Sequence, residues 1–310
     1  MFHHFHDGGI HLKTQGSISK DDFYKIIKFI GKKNILNAED FFFRFKEKRL
    51  KKNNVCLTFD DGIKCQMDVA LPVLEDLNIK GFFFLYSSLF TGKPDLLEVY
   101  RYFRVNYFKN LDDFYDKFFN ILNINLNEFF NSSAKDVKDM LVRFPFYSIN
   151  DVKFRLVRNK LLSKAKYDNT MKLMFNEKKF IPNKHYKNLF FEKKDLVKLH
   201  SLGHSVGLHS HNHPIAIEKL SYAQQKNEYQ KNLKIFLDIL KIKKNDIKFM
   251  SHPCGSYNND SLKILKDLGI ELGFKQIMEI EVEKKMKKIN NSSLEIARQD
   301  HAQILIMMNK

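Results

Sequence analysis

The chain has 310 residues, of which 44% are hydrophobic, enough for a sizeable buried core and too many for an intrinsically disordered protein. With 53 Lys and Arg against 36 Asp and Glu, its net charge is +17, which favours an anionic partner: nucleic acid, a membrane face or a phosphorylated substrate. Alternatively, the positive charge reflects a general bias of the amino-acid composition, because Lys and Asn are abundant throughout the chain. No apolar run resembles a signal peptide or a membrane span, and three cysteines cannot all pair, so we expect a soluble protein in the reducing cytoplasm.

The predicted elements begin with helices and then alternate strand and helix. Polar starts and apolar periodicity predict helices over residues 20–30 and 38–45. A short apolar strand at 55–59 runs into Asp60-Asp61-Gly62, a helix follows over 67–77, and a second buried strand is predicted at 81–86.

The middle of the chain contains no glycine between Gly92 and Gly203 and is crowded with Phe, Tyr and Lys. Residues 93–202 carry 22 basic against 13 acidic side chains, a net +9, which predicts either a basic face or an ordinary solvated helical surface. We interpret residues 91–193 as a helical insertion within a single domain that spans residues 1–310.

The strand and helix alternation resumes after the insertion. Helices are predicted over 194–202, 221–240 and 260–268, and strands at 205–208, 247–250, near Leu272 and at 294–297. This order predicts an α/β protein with a parallel sheet or barrel and helices outside it.

Two adjacent carboxylates, Asp60 and Asp61, directly follow a predicted buried strand, where parallel α/β folds expose catalytic groups. Neighbouring side chains point in different directions, so one carboxylate can bind a cation while the other faces a substrate. The alternative for Asp-Asp-Gly alone is a simple turn or helix cap.

Three imidazoles then occur within five residues, at His209, His211 and His213, just past another predicted strand. His209 and His213 are four residues apart, so one helical turn would direct both toward the same ion, while His211 would point away. The alternative is a histidine-rich surface loop.

A third segment, residues 249–258, contains Pro253-Cys254-Gly255 in a tight loop. A backbone N–H in such a loop is a candidate oxyanion donor, although an ordinary turn explains the segment equally well. The Cys254 thiol fits packing better than nucleophilic catalysis, because no single feature lowers its pKa.

In this order, TFDDG at residues 58–62, HSHNH at 209–213 and PCG at 253–255 resemble the polysaccharide deacetylases of the NodB-homology group, carbohydrate esterase family four. The resemblance covers residues 1 to about 90 and about 194 to 301. It implies a distorted (β/α) barrel of about seven strands and a divalent metal, usually Zn²⁺. It also implies Asp60 as base, Asp61, His209 and His213 as metal ligands, and the Cys254 N–H as oxyanion donor.

The chain departs from the family pattern in its later motifs. Ser251 stands where the family has an arginine that orients the catalytic aspartate, and Arg298 is our candidate replacement. The histidine that supplies the general acid has no clear match; we predict His301, with His252 in reserve.

The resemblance implies a hydrolase that removes an acetyl group from an N- or O-acetylated sugar. We expect an intracellular glycan precursor as substrate, a cytoplasmic location with possible peripheral membrane contact, and no nucleic-acid partner, because no nucleic-acid-binding motif accompanies the charge. The alternatives are an amidohydrolase acting on a small non-sugar amide and a catalytically degenerate carbohydrate-binding protein.

Overall fold

The computed structural model describes residues 1–144, 146–276 and 292–308. Its contacts divide the chain into two compact units. Unit 1 contains residues 1–13, 17–95 and 187–310, and unit 2 contains residues 14–16 and 96–186. The bounds of unit 2 lie close to those predicted for the insertion, and the assignment of both units to a single domain stays a prediction.

Unit 1 is built on parallel strands. A small sheet pairs β1 (Phe5–His6) with β2 (Ile18–Ser19). The main sheet is curled into a half-barrel and contains five parallel strands in the order of the sequence: β3 (Thr58–Asp60), β4 (Phe82–Leu85), β5 (Ser205–Leu208), β6 (Phe249–Ser251) and β7 (Leu272–Phe274). The predicted strand pattern is therefore confirmed as an α/β fold.

The helices that the structure describes follow the predicted alternation. In chain order they are α1 (Lys20–Ile30), α2 (Ala38–Lys46), α3 (Leu71–Asp76), α4 (Leu96–Asn106), α5 (Leu111–Leu122), α6 (Asn127–Ser132), α7 (Ala134–Arg143), α8 (Ile149–Leu156), α9 (Lys164–Glu177), α10 (Tyr186–Leu189), α11 (Lys193–Ser201), α12 (Tyr222–Leu240), α13 (Asn259–Asp267) and α14 (His301–Met308). Helices α4 to α9 belong to unit 2, which confirms that the glycine-free segment is helical. None of the described helices is both long and apolar enough to cross a membrane.

The expectation of about seven strands in one barrel needs correction. The predicted strand at 294–297 is reduced to a single parallel bridge between Phe274 and Ile296, and a similar bridge joins Phe2 to Phe59 at the other edge. The Met1 amino group donates to the Gln299 carbonyl at 2.8 Å, and the His301 N–H donates to the Met1 carbonyl at 3.2 Å. The two outer segments thus bond to each other, but they are too short and irregular to count as strands.

The alternation of side chains along β3 places Phe59 and Asp60 on opposite faces of the sheet, and buried aromatic residues lie on both faces. Phe59 stacks on Phe83 with ring centroids 4.5 Å apart, and Phe2 stacks on Phe59 at 5.4 Å. Because successive side chains of a strand point to opposite faces, Asp60 lies on the other face. There its backbone pairs with that of Phe84, and Phe84 packs against Phe274 in the core cluster.

Candidate metal centre and active site

The loop that follows β3 directs the second aspartate toward the site. The Asp61 N–H donates to the Phe84 carbonyl at 3.0 Å, and Asp61 has a left-handed backbone with φ 78°. Gly62 follows with φ 67°, and a Cβ there would lie 2.9 Å from a methyl carbon of Leu85. A glycine is therefore required at this position, which explains the third letter of Asp-Asp-Gly.

Asp61, His209 and His213 converge on one point. The Oδ1 atom of Asp61 lies 3.1 Å from His209 Nε2 and 3.3 Å from His213 Nε2. All three ligand atoms lie within 4.8 Å of one another. Two donor atoms that each bind a metal at about 2.0–2.1 Å are separated by a little over 3 Å in tetrahedral geometry. The three residues could hold one metal ion, and this chemistry of two imidazole nitrogens and one carboxylate oxygen suits a divalent transition metal.

Both imidazoles are held in the orientation that a metal ligand requires. His209 donates from Nδ1 to the Ser251 carbonyl at 2.8 Å, and His213 donates from Nδ1 to the Asp95 carboxylate at 3.1 Å. Because Nδ1 of each ring is bonded to an acceptor, Nε2 is the nitrogen that faces Asp61 and could bind a metal ion. Sequence reasoning did not find Asp95, which lies 118 residues before His213 in the chain.

The loop at 209–213 is shaped by side chains from α12 rather than by a helical turn. The Asn232 side chain accepts from the His209 N–H at 2.8 Å, and the Glu228 carboxylate accepts from the N–H groups of His211 and Asn212 at 3.0 and 2.7 Å. The predicted helical turn is therefore wrong.

The two imidazoles converge because the backbone of this loop turns at left-handed residues, Ser210 with φ 65° and His213 with φ 55°. His211 Nδ1 lies 2.9 Å from the Ser87 hydroxyl and does not take part in the cluster with Asp61.

The carboxylate of Asp61 and the imidazoles of His209 and His213 shift one another's pKa values toward the charged forms. Burial raises the pKa of Asp61, but the imidazoles of His213 and His209 outweigh it and lower that pKa well below its usual range. Burial lowers the pKa of His213, while Cys254, Asp61 and Asp95 together raise it well above its usual range. The site thus keeps Asp61 anionic, as a metal ligand must be.

Asp60 is held by Arg298. The guanidinium makes two bonds to the carboxylate, Nη1 to Oδ1 at 2.8 Å and Nη2 to Oδ2 at 2.7 Å, and Nη2 also donates to the Ser251 hydroxyl at 2.8 Å. Burial raises the pKa of Asp60, but Arg298 lowers it to about 2. Arg298 therefore contacts the aspartate that the family's arginine orients, although Ser251 occupies that arginine's place in the sequence.

Cys254 lies beside the cluster of Asp61, His209 and His213. It occupies a short turn, Pro253–Gly255, with φ 52°, and its Sγ lies 4.0 Å from His213 Nε2. Within the described part of the chain, its backbone N–H has no hydrogen-bond acceptor, as the predicted oxyanion donor requires.

The structure does not bring the predicted acid, His301, to these carboxylates. Its ring stacks on Phe2 with centroids 5.7 Å apart, on the face of the sheet opposite to Asp60. His252 is buried, donates from Nε2 to the Leu294 carbonyl at 2.8 Å, and burial lowers its pKa to about 4, so it is neutral at pH 7. Neither His301 nor His252 is therefore placed to act as the general acid.

His3 is the histidine that sequence reasoning missed as a site residue. Its Nε2 lies 4.0 Å from Asp60 Oδ2 and 3.9 Å from Asp61 Oδ2, and its side chain is 20% exposed. Phe2 forms a parallel bridge with Phe59 and stacks on it, so the next side chain, that of His3, lies on the face of the sheet that carries Asp60.

Comparison with known proteins agrees with this geometry. The family model described as polysaccharide deacetylase matches residues 47–103 and 160–273, together more than half of the chain. The parallel α/β half-barrel and an Asp-His-His group that could hold a metal ion fit a hydrolase of this family. The chain belongs to the polysaccharide deacetylase family of hydrolases. No curated protein matches it in sequence.

Solved structures share the fold at low sequence identity. The chain is similar to the Streptococcus pyogenes deacetylase PplD in complex with acetate, with TM-score 0.54 and 14% identity over 99% of this chain and 96% of that one. It is also similar to a de-N-acetylase from Aggregatibacter actinomycetemcomitans, with TM-score 0.54 and 12% identity over 97% and 93%. A third is the deacetylase domain of BpsB from Bordetella bronchiseptica, with TM-score 0.51 and 11% identity over 96% and 93%. At these identities the likeness shows the fold alone.

Proposed function

We propose that this protein is a zinc-dependent deacetylase that hydrolyses the N-acetyl or O-acetyl group of a sugar. The observation that carries the proposal is that both imidazoles of the cluster have Nδ1 bonded to an acceptor and Nε2 directed at Asp61 Oδ1. Three protein ligands leave a coordination position open, which is the arrangement of catalytic rather than structural zinc. When bound, the ion supplies Lewis-acid polarisation of water and of the acetyl carbonyl.

Asp60 is the proposed general base. Its ion pair with Arg298 fixes both carboxylate oxygens and keeps the group ionised, so that it is ready to accept a proton from the attacking water. Ser251 completes this arrangement, since its hydroxyl lies between Arg298 and Asp60, 2.8 and 3.2 Å from them. These contacts hold the base in one orientation beside the cluster, and such positioning accounts for much of the rate enhancement in enzymes.

Two further residues complete the proposed reaction. The backbone N–H of Cys254 stabilises the negative charge that develops on the acetyl oxygen. His3 is the imidazole placed to protonate the leaving group, because its Nε2 lies within about 4 Å of both aspartates on the site side of the sheet. An amine needs this protonation to leave, whereas an alcohol needs it less.

An acetylated carbohydrate is the substrate class that membership of the family implies. We propose an intracellular glycan precursor as the substrate and a cytoplasmic location with peripheral membrane contact. The excess of positive charge supports a precursor that carries an anionic group.

The test combines metal analysis of the purified protein with acetate release from a panel of N-acetylated sugars, O-acetylated sugars and small non-sugar acetamides. We expect wild type to release acetate from a sugar, Asp60→Asn to bind metal without activity, and His209→Ala to lose both metal and activity. Acetate release that survives Asp60→Asn would refute the assigned base, and release only from non-sugar amides would refute the substrate class.

A further inference from the structure

Unit 2 contains two guanidinium groups over the ring of Phe154 and a third, on the adjacent residue Arg155, over the ring of Tyr147. The Cζ atom of Arg104, on α4, lies 5.7 Å from the ring centroid, and that of Arg158, just past α8, lies 6.0 Å from it. Arg155, on α8, is stacked on Tyr147 with its Cζ 4.0 Å from the ring centroid. We call Arg104, Arg155 and Arg158 the arginine cluster.

Arg104 is buried without a counter-ion. Its side chain is 5% exposed, and its Nε has no hydrogen-bond acceptor among the described residues. The Nε of Arg155 is likewise buried and without an acceptor in the part of the chain that the structure describes. No described carboxylate lies within ion-pair distance of either guanidinium. A buried cation without a partner is strongly unfavourable, because it has lost its hydration and gained nothing in return.

The buried carboxylate Asp151 does not balance these charges. It accepts from the Tyr115 hydroxyl and from the Ser148 N–H, the latter at 2.9 Å, and it caps the start of α8. The three arginines therefore exceed this carboxylate by two positive charges. Burial lowers the pKa of Arg155 to about 10, and the positive charges of Arg104 and Arg158 add to that decrease against the opposing effect of Tyr147.

We propose that the arginine cluster binds a phosphoryl group. An anion of two negative charges balances the excess, and the planar fork of a guanidinium matches two phosphate oxygens, which an ammonium group does not. The unused Nε groups of Arg104 and Arg155 are the donors that such an anion would accept from. The proposal goes beyond the deacetylase activity and does not depend on it. The phosphoryl group can belong to a soluble molecule or to a lipid headgroup.

Calorimetry and thermal unfolding of the full chain with inorganic phosphate and pyrophosphate test the proposal. Arg104→Gln and Arg155→Gln remove one donor each, and Lys172→Gln is the matched control, because it removes an exposed positive charge from the same unit without an ion partner among the described residues. We expect pyrophosphate to raise the Tm of wild type and of Lys172→Gln, and its Kd to increase about tenfold or more in both arginine variants.

A control in phosphate-free buffer separates ligand binding from a structural role. There Arg104→Gln should be at least as stable as wild type, because the variant removes an unpaired buried cation. Pyrophosphate that binds at the metal centre would bind Arg104→Gln equally well, so equal affinities in wild type and both arginine variants would overturn the proposal. Absence of pyrophosphate and phosphate binding to wild type would overturn it too. If Arg104→Gln fails to fold, Arg155→Gln provides the same test, because Arg155 is only half-buried.

Vesicle flotation distinguishes the two sources of the phosphoryl group. Arg104-dependent binding to phosphatidic acid vesicles, with no binding to phosphatidylcholine vesicles, would assign a lipid headgroup. Arg104-dependent pyrophosphate binding without vesicle binding would assign a soluble ligand.

Discussion

Arg298 binds Asp60 through two parallel hydrogen bonds of 2.8 and 2.7 Å, although 238 residues separate them in the chain. Both side chains are almost completely buried, at 4% and 2% exposure. A buried carboxylate next to a metal-binding cluster needs such a partner to remain ionised and fixed. The ion pair therefore links the last segment of the chain to the residue that we propose as catalytic base.

Arg298→Lys should lower kcat by about 10- to 100-fold with little change in KM, because lysine keeps the charge but not the two-pronged geometry. Arg298→Met should also lower the free energy of unfolding by about 3 kcal/mol, since it leaves Asp60 buried and unpaired. Steady-state kinetics and urea denaturation measure both effects. The control is Arg49→Lys, because Arg49 forms an exposed ion pair with Glu47. Equal kcat values for Arg298→Lys and this control would show that the two-pronged guanidinium contact does not position the base.

Asp95→Ala should weaken metal binding by about 10- to 100-fold, because His213 loses the acceptor that orients its Nδ1–H. The affinity can be measured by competition with a chromophoric chelator, and the bound metal by elemental analysis. Asp267→Ala removes an exposed carboxylate and should leave the affinity unchanged. Equal affinities in the two variants would exclude Asp95 from the support of the metal centre.

His3→Gln should reduce kcat for an N-acetylated sugar by about 100-fold and for the matching O-acetylated sugar by less than about tenfold, because only the amine requires a proton to leave. His301→Gln is the matched control and should change neither rate, since that imidazole stacks on Phe2 away from the carboxylates. If His301→Gln rather than His3→Gln shows the difference between amide and ester, the sequence-based prediction of His301 as the acid is right and the assignment of His3 is wrong.

Acid should destabilise the protein partly through His204. Burial and the charge of Lys80 lower the pKa of His204 to about 4, and the neutral ring accepts from the Gly81 N–H at Nδ1 over 3.1 Å. A histidine whose pKa falls on folding stabilises the protein fully above its unfolded pKa of 6.5, and this contribution is lost as the pH falls toward about 4. The loss amounts to about 3 kcal/mol at most.

His204→Asn keeps an acceptor for the Gly81 N–H and cannot be protonated. Its unfolding free energy should therefore change less than that of wild type between pH 6.5 and pH 4, even if its stability at neutral pH is lower. Exposed His200→Asn should behave like wild type. Identical pH slopes for wild type and His204→Asn would show that this imidazole does not contribute to acid unfolding.

Much of the fold and the types of the site residues could be predicted from sequence, because they depend on local patterns. The apolar periodicity of residues 20–30 and the capping box of Ser19 and Asp22 specify α1, and the apolar run at 82–85 specifies β4. The spacing of His209 and His213 indicated a common ligand, but the turn that joins them depends on side chains of α12 that no local pattern reveals.

Other features could not be predicted because they depend on long-range packing. The role of Asp95 follows from its approach to His213, and the position of His301 follows from the face of the sheet on which Phe2 lies. Residues 294–297 were predicted as a strand, yet only Ile296 forms a bridge to β7, because the segment begins in a turn in which the Glu295 N–H donates to the Ser292 carbonyl at 3.1 Å.

The most direct test of the central claim is a titration of acetate release against metal added to the metal-free protein. If Asp61, His209 and His213 form one catalytic centre, activity on an acetylated sugar should rise linearly up to one equivalent of Zn²⁺ and then stay constant, and Asp61→Ala should show no rise. Full activity in the metal-free protein, or an identical titration for Asp61→Ala, would contradict the account.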